Sequence, residues 1–288
     1  MIIDFLQQIF NGLVVGSIYT LIALGLTTIF GILGIAHFAH GSVAMFGGYL
    51  AFFLISTLGL GLLPSFILAM LCGALLGVVL ERVAYYPVRN APPINSFIIA
   101  LGLTLIIEKT NLLAFGVDQV IIPTPFNRVF SVGGVTMPEL RIYVLLTAAV
   151  LVGGMTLLIQ RTWIGKAVRA VAQNRPTAAL MGINVNSVSM FVFALSSALG
   201  VAAGVLIGAL FAVAPGVSDG LGVKGFAVLI LGGLGSIPGA IVGGMVLGVT
   251  EAFAAAFISS GYKDVISFLL MIAVLLVRPE GLMRGKAR

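Results

Sequence analysis

Arg161–Val185, RTWIGKAVRAVAQNRPTAALMGINV, is the longest stretch of this chain that water would accept unaided. Arg161, Lys166, Arg169 and Arg175 fall within it, and it contains no Asp or Glu. Long apolar runs flank it, Ile142–Ile159 before and Val188–Ala214 after. A short basic loop between membrane spans stays in the cytoplasm, because Lys and Arg resist translocation. That assignment orients every other segment. The loop also carries structure of its own: Ile164, Ala167, Val168 and Val171 recur at helical spacing, with Lys166 and Arg169 on another face. Asn174-Arg175-Pro176 breaks this helix, since Pro disfavours helix in the residue before it and suits the first turn of the next. A second short helix then runs from Pro176 to Met181, closed by Gly182 in the left-handed conformation. Two short helices at an elbow fit a protein-docking surface. An amphipathic linker lying on anionic lipid is the alternative, although a lipid-bound helix has no need of a hard break.

Composition sets the class. Of 288 residues, 60% are hydrophobic and 8% charged, with mean hydropathy +1.21. Soluble domains carry roughly 25% charged residues, so residues 1–288 read as one integral membrane domain. The net charge of +6 sits in loops and at the C-terminus, a topogenic pattern that gives no reason to expect nucleic acid as a partner. A single cysteine, Cys72, and two histidines argue against a disulfide, a thiolate cluster or a His-rich metal site. No cofactor is expected. MIIDFLQQIF lacks the basic start of a cleaved signal peptide and reads as the beginning of a retained span.

At roughly 20 residues per crossing, spans are predicted near 8–32, 43–58, 63–84, 94–115, 140–160, 187–213 and 262–278. Positive-inside counting places 82–89, 161–175 and the C-terminus in the cytoplasm, and 116–139, 213–223 and the N-terminus outside. The segment 225–258 must then start and finish on the same face, either entering and returning or making two short crossings. Leu231–Gly244, LGGLGSIPGAIVGG, supports this with six glycines and a proline in fourteen residues, which no uninterrupted helix favours. Such a break either lines a wet cavity or lets helices pack closely. For Gly200, Gly204 and Gly208, four apart on one face, close packing is the reading.

A second break lies at Gly31–Ser42, GILGIAHFAHGS, where Ser42 is placed to cap the following helix and Gly41 to turn into it. His37 and His40 either satisfy backbone groups at this junction or line a route; without a nearby carboxylate they do not suggest a metal. Glu251, isolated in an apolar run, is a functional candidate by position or a hydrogen-bonded carboxyl that fixes packing. No P-loop occurs, for Gly165-Lys166 is followed by Ala167 and Gly285-Lys286 by Ala287. Serine-hydrolase, metalloprotease and paired-aspartate motifs are missing too, so the chain reads as no enzyme but as a transporter subunit driven by a partner.

Asn11–Tyr49, NGLVVGSIYTLIALGLTTIFGILGIAHFAHGSVAMFGGY, closely resembles the opening of permeases from branched-chain amino-acid ABC importers, the shorter of the two membrane subunits in particular. Where this chain has His37 the family usually has Asn, in an N-F-A-H-G motif. Arg161–Asn174 followed by Ala178–Val185 resembles the family's coupling loop, and Lys224–Ala240, Glu251-Ala252 and Arg278–Leu282 complete the match in order. The resemblance implies an all-α polytopic bundle of the vitamin-B12-importer type with broken or re-entrant helices, in a bacterial inner membrane. It implies a sister permease, two cytoplasmic ATP-binding subunits and an extracytoplasmic binding protein. The coupling interface is expected at Trp163, Lys166, Arg169, Arg175, Pro176, Ala178, Leu180 and Gly182. The translocation pathway is expected at His37, Phe38, His40, Gly41, Ser42, Gly232, Gly233, Gly235, Ser236 and Glu251. Leucine, isoleucine, valine or a related small amino acid is the implied cargo; urea and short amides, or an ATPase-independent channel or carrier, are the alternatives.

Overall fold

The structure, a computed structural model, describes residues 2–214 and 217–283. Eleven α-helices and one β-hairpin follow in order among them: α1 Ile2–Leu33, α2 His40–Ser56, α3 Leu62–Leu80, α4 Pro93–Phe115, β1 Val129–Val132, β2 Val135–Pro138, α5 Glu139–Arg161, α6 Trp163–Gln173, α7 Arg175–Leu180, α8 Val185–Leu210, α9 Val217–Gly232, α10 Ile237–Phe257 and α11 Lys263–Val277. Among the described residues, seven helical segments are long and apolar enough to cross a membrane. The chain is the all-α polytopic bundle with broken helices that its sequence implies.

Two ends of the bundle are distinguishable. At one, here the hairpin end, Gln7 near the start of α1 exchanges two hydrogen bonds with the Thr136 backbone of β2, at 2.9 and 2.7 Å. At the other, the elbow end, Arg175 at the start of α7 donates to the Leu33 carbonyl that closes α1, at 3.1 Å. α1 therefore runs the full height of the bundle, about 48 Å for 32 residues. It and α8 form the centre, 83% and 72% of their most apolar windows being buried, against 6% for the segment holding α11.

Glycine lets backbones meet along α1. Gly12 and Gly16 face Gly244 and Gly248 of α10, four residues apart on each helix. A methyl group on Gly248 would lie 2.3 Å from the Gly16 nitrogen, and one on Gly12 would lie 2.5 Å from the Val249 Cα. α8 uses its predicted stripe in the same way: a methyl on Gly204 would sit 1.6 Å from the Ala44 carbonyl oxygen of α2. Small residues at four-residue spacing are how membrane helices gain van der Waals contact when lipid offers no hydrophobic drive.

The two predicted breaks are real, and each has a definite form. Residues 34–39 lie outside any helix, and α2 begins beside Gly25 of α1, eight residues or about 12 Å short of the elbow end. The segment 225–258 falls in an antiparallel pair, α9 and α10, turning at 233–236; Gly232 faces Gly239 and Val228 faces Gly243. Gly233 (φ 107°) makes the turn in a conformation open to glycine, and Ser236 caps α10 by accepting from the Gly239 N–H at 3.1 Å. The last carbonyls of α9 are not left bare. Leu282 and Met283 donate to Leu231 and Gly232 at 2.8 and 3.1 Å, which gives the Arg278–Leu282 motif its structural purpose.

Two expectations are corrected. Ser42 and Gly41, expected to cap and to turn into the helix after the early break, lie inside its first turn: α2 begins at His40, with Ala39 at its N-cap and no side-chain cap, because the His40 ring fits against Gly25 and Gly200. The stretch 213–223, read as an external loop, already contains the first turns of α9. Ser218 is buried there, and a methyl on Gly41 would lie 2.3 Å from its carbonyl oxygen. Gly220 and Gly222 lower helix propensity in this stretch, but contact with the start of α2 outweighs the local cost.

Candidate functional site

The Arg161–Val185 loop folds as the elbow its sequence foretells. Thr162 caps α6 by accepting from the Gly165 N–H at 3.0 Å, and Asn174 caps α7 by accepting from Thr177 at 2.9 Å. Gly182 (φ 83°) stops α7, while Ile183 donates to the Ala178 carbonyl at 3.1 Å. The eight coupling candidates divide into two sets. Arg169 donates to the Ile159 carbonyl, Arg175 to that of Leu33, and Ala178 is buried, so these three hold the elbow onto the bundle. Trp163 (81% exposed), Leu180 (87% exposed), Lys166, Pro176 and Gly182 face outward. Lys166 lies over the Trp163 ring, 4.1 Å from its centre. Met181, 77% exposed beside Leu180, belongs to the same apolar face and was not singled out from sequence.

The early break is a packed junction. His37 and His40 are fully buried. The Nδ1 of His37 is 2.8 Å from the Tyr85 hydroxyl, and its ring meets those of His40, Tyr85 and Phe193 edge-on. The His40 ring occupies a slot between Gly25 of α1 and Gly200 of α8; a methyl on either would lie within 2.8 Å of it. Phe38 stacks on Phe226 of α9 at 4.1 Å, and Ser42 is buried. At the second break, Gly232 and Gly233 abut Gly239 and the Met283 carbonyl, and Gly235 touches Gly31. In this conformation backbone packing closes both breaks.

Glu251 is placed differently. It is 4% exposed on α10, where its Oε2 accepts from the Tyr19 hydroxyl of α1 at 2.7 Å and from the Lys224 Nζ of α9 at 3.0 Å. Its Oε1 accepts from the Ser267 hydroxyl of α11 at 3.2 Å. Lys224 also donates to the Tyr19 oxygen at 2.9 Å and pairs with Asp264 of α11 at 2.9 Å. One ion-pair network thus joins four helices. It forms the base of a cavity of about 680 Å³ on the hairpin side, walled by Val14, Ile18, Leu210 and Leu221, with Asn11 and Arg141 near the rim. Sequence reasoning found Glu251 and missed its partners. A signal did exist: continuing the register Gly232 to Gly239 and Val228 to Gly243 puts Lys224 opposite Leu247, one helical turn from Glu251. A second cavity of about 380 Å³ opens at the elbow end, lined by the buried Glu81 with Arg89, Arg175 and Asn186. No group of three or more metal-ligating side chains occurs among the described residues.

Broken helices, glycine-packed cores and a charged network under a cavity define a multi-pass membrane transport protein. The comparisons narrow this class. The chain belongs to the family of permease components of branched-chain amino acid transport systems, whose profile matches residues 8–275. It is 40% identical to the high-affinity branched-chain amino acid transport system permease protein BraD of Pseudomonas aeruginosa, over 98% of this chain and 96% of that one. It is 38% identical to the corresponding LivH protein of Escherichia coli K12, over 97% of this chain and 95% of the relative. Among solved structures, PsaBC from Streptococcus pneumoniae in complex with Fab shares the fold, with a TM-score of 0.53 at 14% identity over 97% of both chains.

Proposed function

We propose that this chain is the membrane-spanning subunit of an ABC importer that moves branched-chain or related small amino acids inward across a bacterial inner membrane. Family membership and near full-length similarity to high-affinity branched-chain amino acid permeases support the cargo class. The whole chain acts as one permease domain. A binding protein delivers cargo at the hairpin end, a sister permease completes the route, and two cytoplasmic ATPase subunits drive it from the elbow end. The basic, acid-free 161–185 loop supports that orientation, with both the hairpin end and the N-terminus outside.

The observation that carries the coupling role is the elbow itself. Trp163, Leu180 and Met181 expose large apolar side chains on a loop held rigidly by caps and by Arg169 and Arg175. An exposed apolar face suits a protein or a lipid contact, and the hard break at Asn174–Pro176 favours the protein, since a helix lying on lipid has no need of it. Arg175 reaches the last carbonyl of α1, so movement of the elbow is passed to the helix that spans the bundle. Leu180→Asp and Trp163→Asp test this. Each is expected to lower binding of the ATPase by about 2 kcal/mol, the size of an interface hot spot, with membrane insertion unchanged. Undiminished co-purification of the ATPase with Leu180→Asp would contradict the assignment.

Of the pathway candidates, Glu251 lies at the base of an open cavity, and the route is proposed to enter there. His37–Ser42 and Gly232–Ser236 are proposed to meet the route when the bundle rearranges, their packed state being the closed one.

A further inference from the structure

We propose that the hairpin-end cavity binds the amino acid itself, Lys224 taking its α-carboxylate and Asp264 its α-ammonium by exchanging their own ion pair for two pairs with the ligand. The inference rests on the reading of the cargo as a small aliphatic amino acid.

Three acceptors surround the Lys224 ammonium: Glu251 at 3.0 Å, Asp264 at 2.9 Å and Tyr19 at 2.9 Å. They are not equivalent. The Glu251 side chain is 5% exposed and fixed by Tyr19 and Ser267, whereas that of Asp264 is 51% exposed. Asp264 is the acceptor with room to move: its Oδ1 is buried against Lys224, while the rest of its side chain is open. When it swings to a ligand ammonium, one Lys224 proton faces the cavity and a ligand carboxylate accepts it. Two charges are paired before and two pairs exist afterwards, so no charge is left bare at either stage. Glu251 and Tyr19 act as positioning residues that hold Lys224 throughout.

The remaining walls suit the rest of such a molecule. Val14, Ile18, Leu210 and Leu221 present aliphatic surface above the ion pair, and the volume lies within the range of about 300–1,000 Å³ typical of small-ligand sites. A cargo without both charges, such as urea or a simple amide, offers nothing to exchange and would leave the pair intact. Binding stays weak, because the two new pairs must offset both the loss of the protein's own pair and the desolvation of the ligand's two charges. That suits a subunit that must pass its cargo on.

The test uses the complete importer in proteoliposomes, with Cys72→Ser and a reporter Ala255→Cys on the cavity wall. An impermeant thiol reagent is applied from the hairpin side with leucine, with 4-methylpentanoate, which lacks the ammonium, or with 3-methylbutylamine, which lacks the carboxylate. Leucine is expected to slow labelling several-fold, and either analogue at equal concentration to leave it unchanged. Asp264→Asn is expected to abolish the protection and to lower leucine uptake about tenfold, the loss expected for one charge-assisted contact; Asp264→Glu is expected to retain both. Labelling indifferent to leucine, or a reporter that never labels, in vesicles that still take leucine up would overturn the site while leaving the importer reading standing. So would wild-type uptake by Asp264→Asn. Absence of leucine, isoleucine and valine uptake in the unmodified importer would bring down the importer reading and the site with it.

Discussion

Glu251 shows how a carboxylate comes to rest inside an apolar helix. Its neighbours Thr250 and Ala252 offer it nothing, the Thr250 hydroxyl donating to the Val246 carbonyl instead; Tyr19, Lys224 and Ser267 from three other helices supply its hydrogen bonds among the described residues. Removing one member of a buried pair costs more than removing both, because the survivor keeps its charge without compensation. Glu251→Gln and Lys224→Met are therefore each expected to destabilise the protein, by up to about 3–5 kcal/mol. The double substitution is expected to cost clearly less than the sum of the two. Thermal melts of the four proteins in detergent check this, and strictly additive losses would mean that the pair contributes no coupling. Asp264 moderates the Glu251→Gln loss, since it leaves Lys224 one carboxylate.

At the scale of helices, close backbone approach sets the architecture. Gly16 and Gly248 bring α1 and α10 into contact, and a leucine at Gly244 would be driven into Thr20, where even a methyl would lie 2.3 Å from the hydroxyl oxygen. Gly244→Leu is expected to cost at least about 1–3 kcal/mol, seen as a lower melting temperature. Gly153→Leu, at a site with open space around it, is the matched control and is expected to be near neutral. Much of this level was legible in the sequence. The Gly200–Gly208 stripe, the Ser236 break and the elbow with Pro176 and Gly182 all follow from local rules that hold wherever those residues stand. The beginnings of α2 and α9 were less legible. His40 starts α2 in the interior because Gly25 and Gly200, far away in sequence, leave a slot for its ring. The Lys224–Glu251 pair was hidden for a related reason: each charge stands alone in the sequence until the register of the α9–α10 turn is fixed.

Over the whole molecule, the hairpin end and the elbow end are chemically distinct, and function follows from which faces outward. After Cys72→Ser, a cysteine at Ser259 beyond α10 is expected to react with an impermeant reagent from outside. One at Thr177 in the elbow is expected to stay protected until the membrane is opened. Labelling of Ser259→Cys and Thr177→Cys from the same side would contradict the orientation. The chain shows no P-loop in its sequence, so in this account both the energy and the cargo arrive from partners at opposite ends. The central claim is tested most directly by measuring radiolabelled leucine uptake into proteoliposomes, first with this chain alone and then with its sister permease, ATPase subunits and binding protein. No uptake by the chain alone and ATP-dependent accumulation by the full set are expected. Leucine uptake by the chain alone, insensitive to ATP, would contradict that claim and point to a self-sufficient carrier.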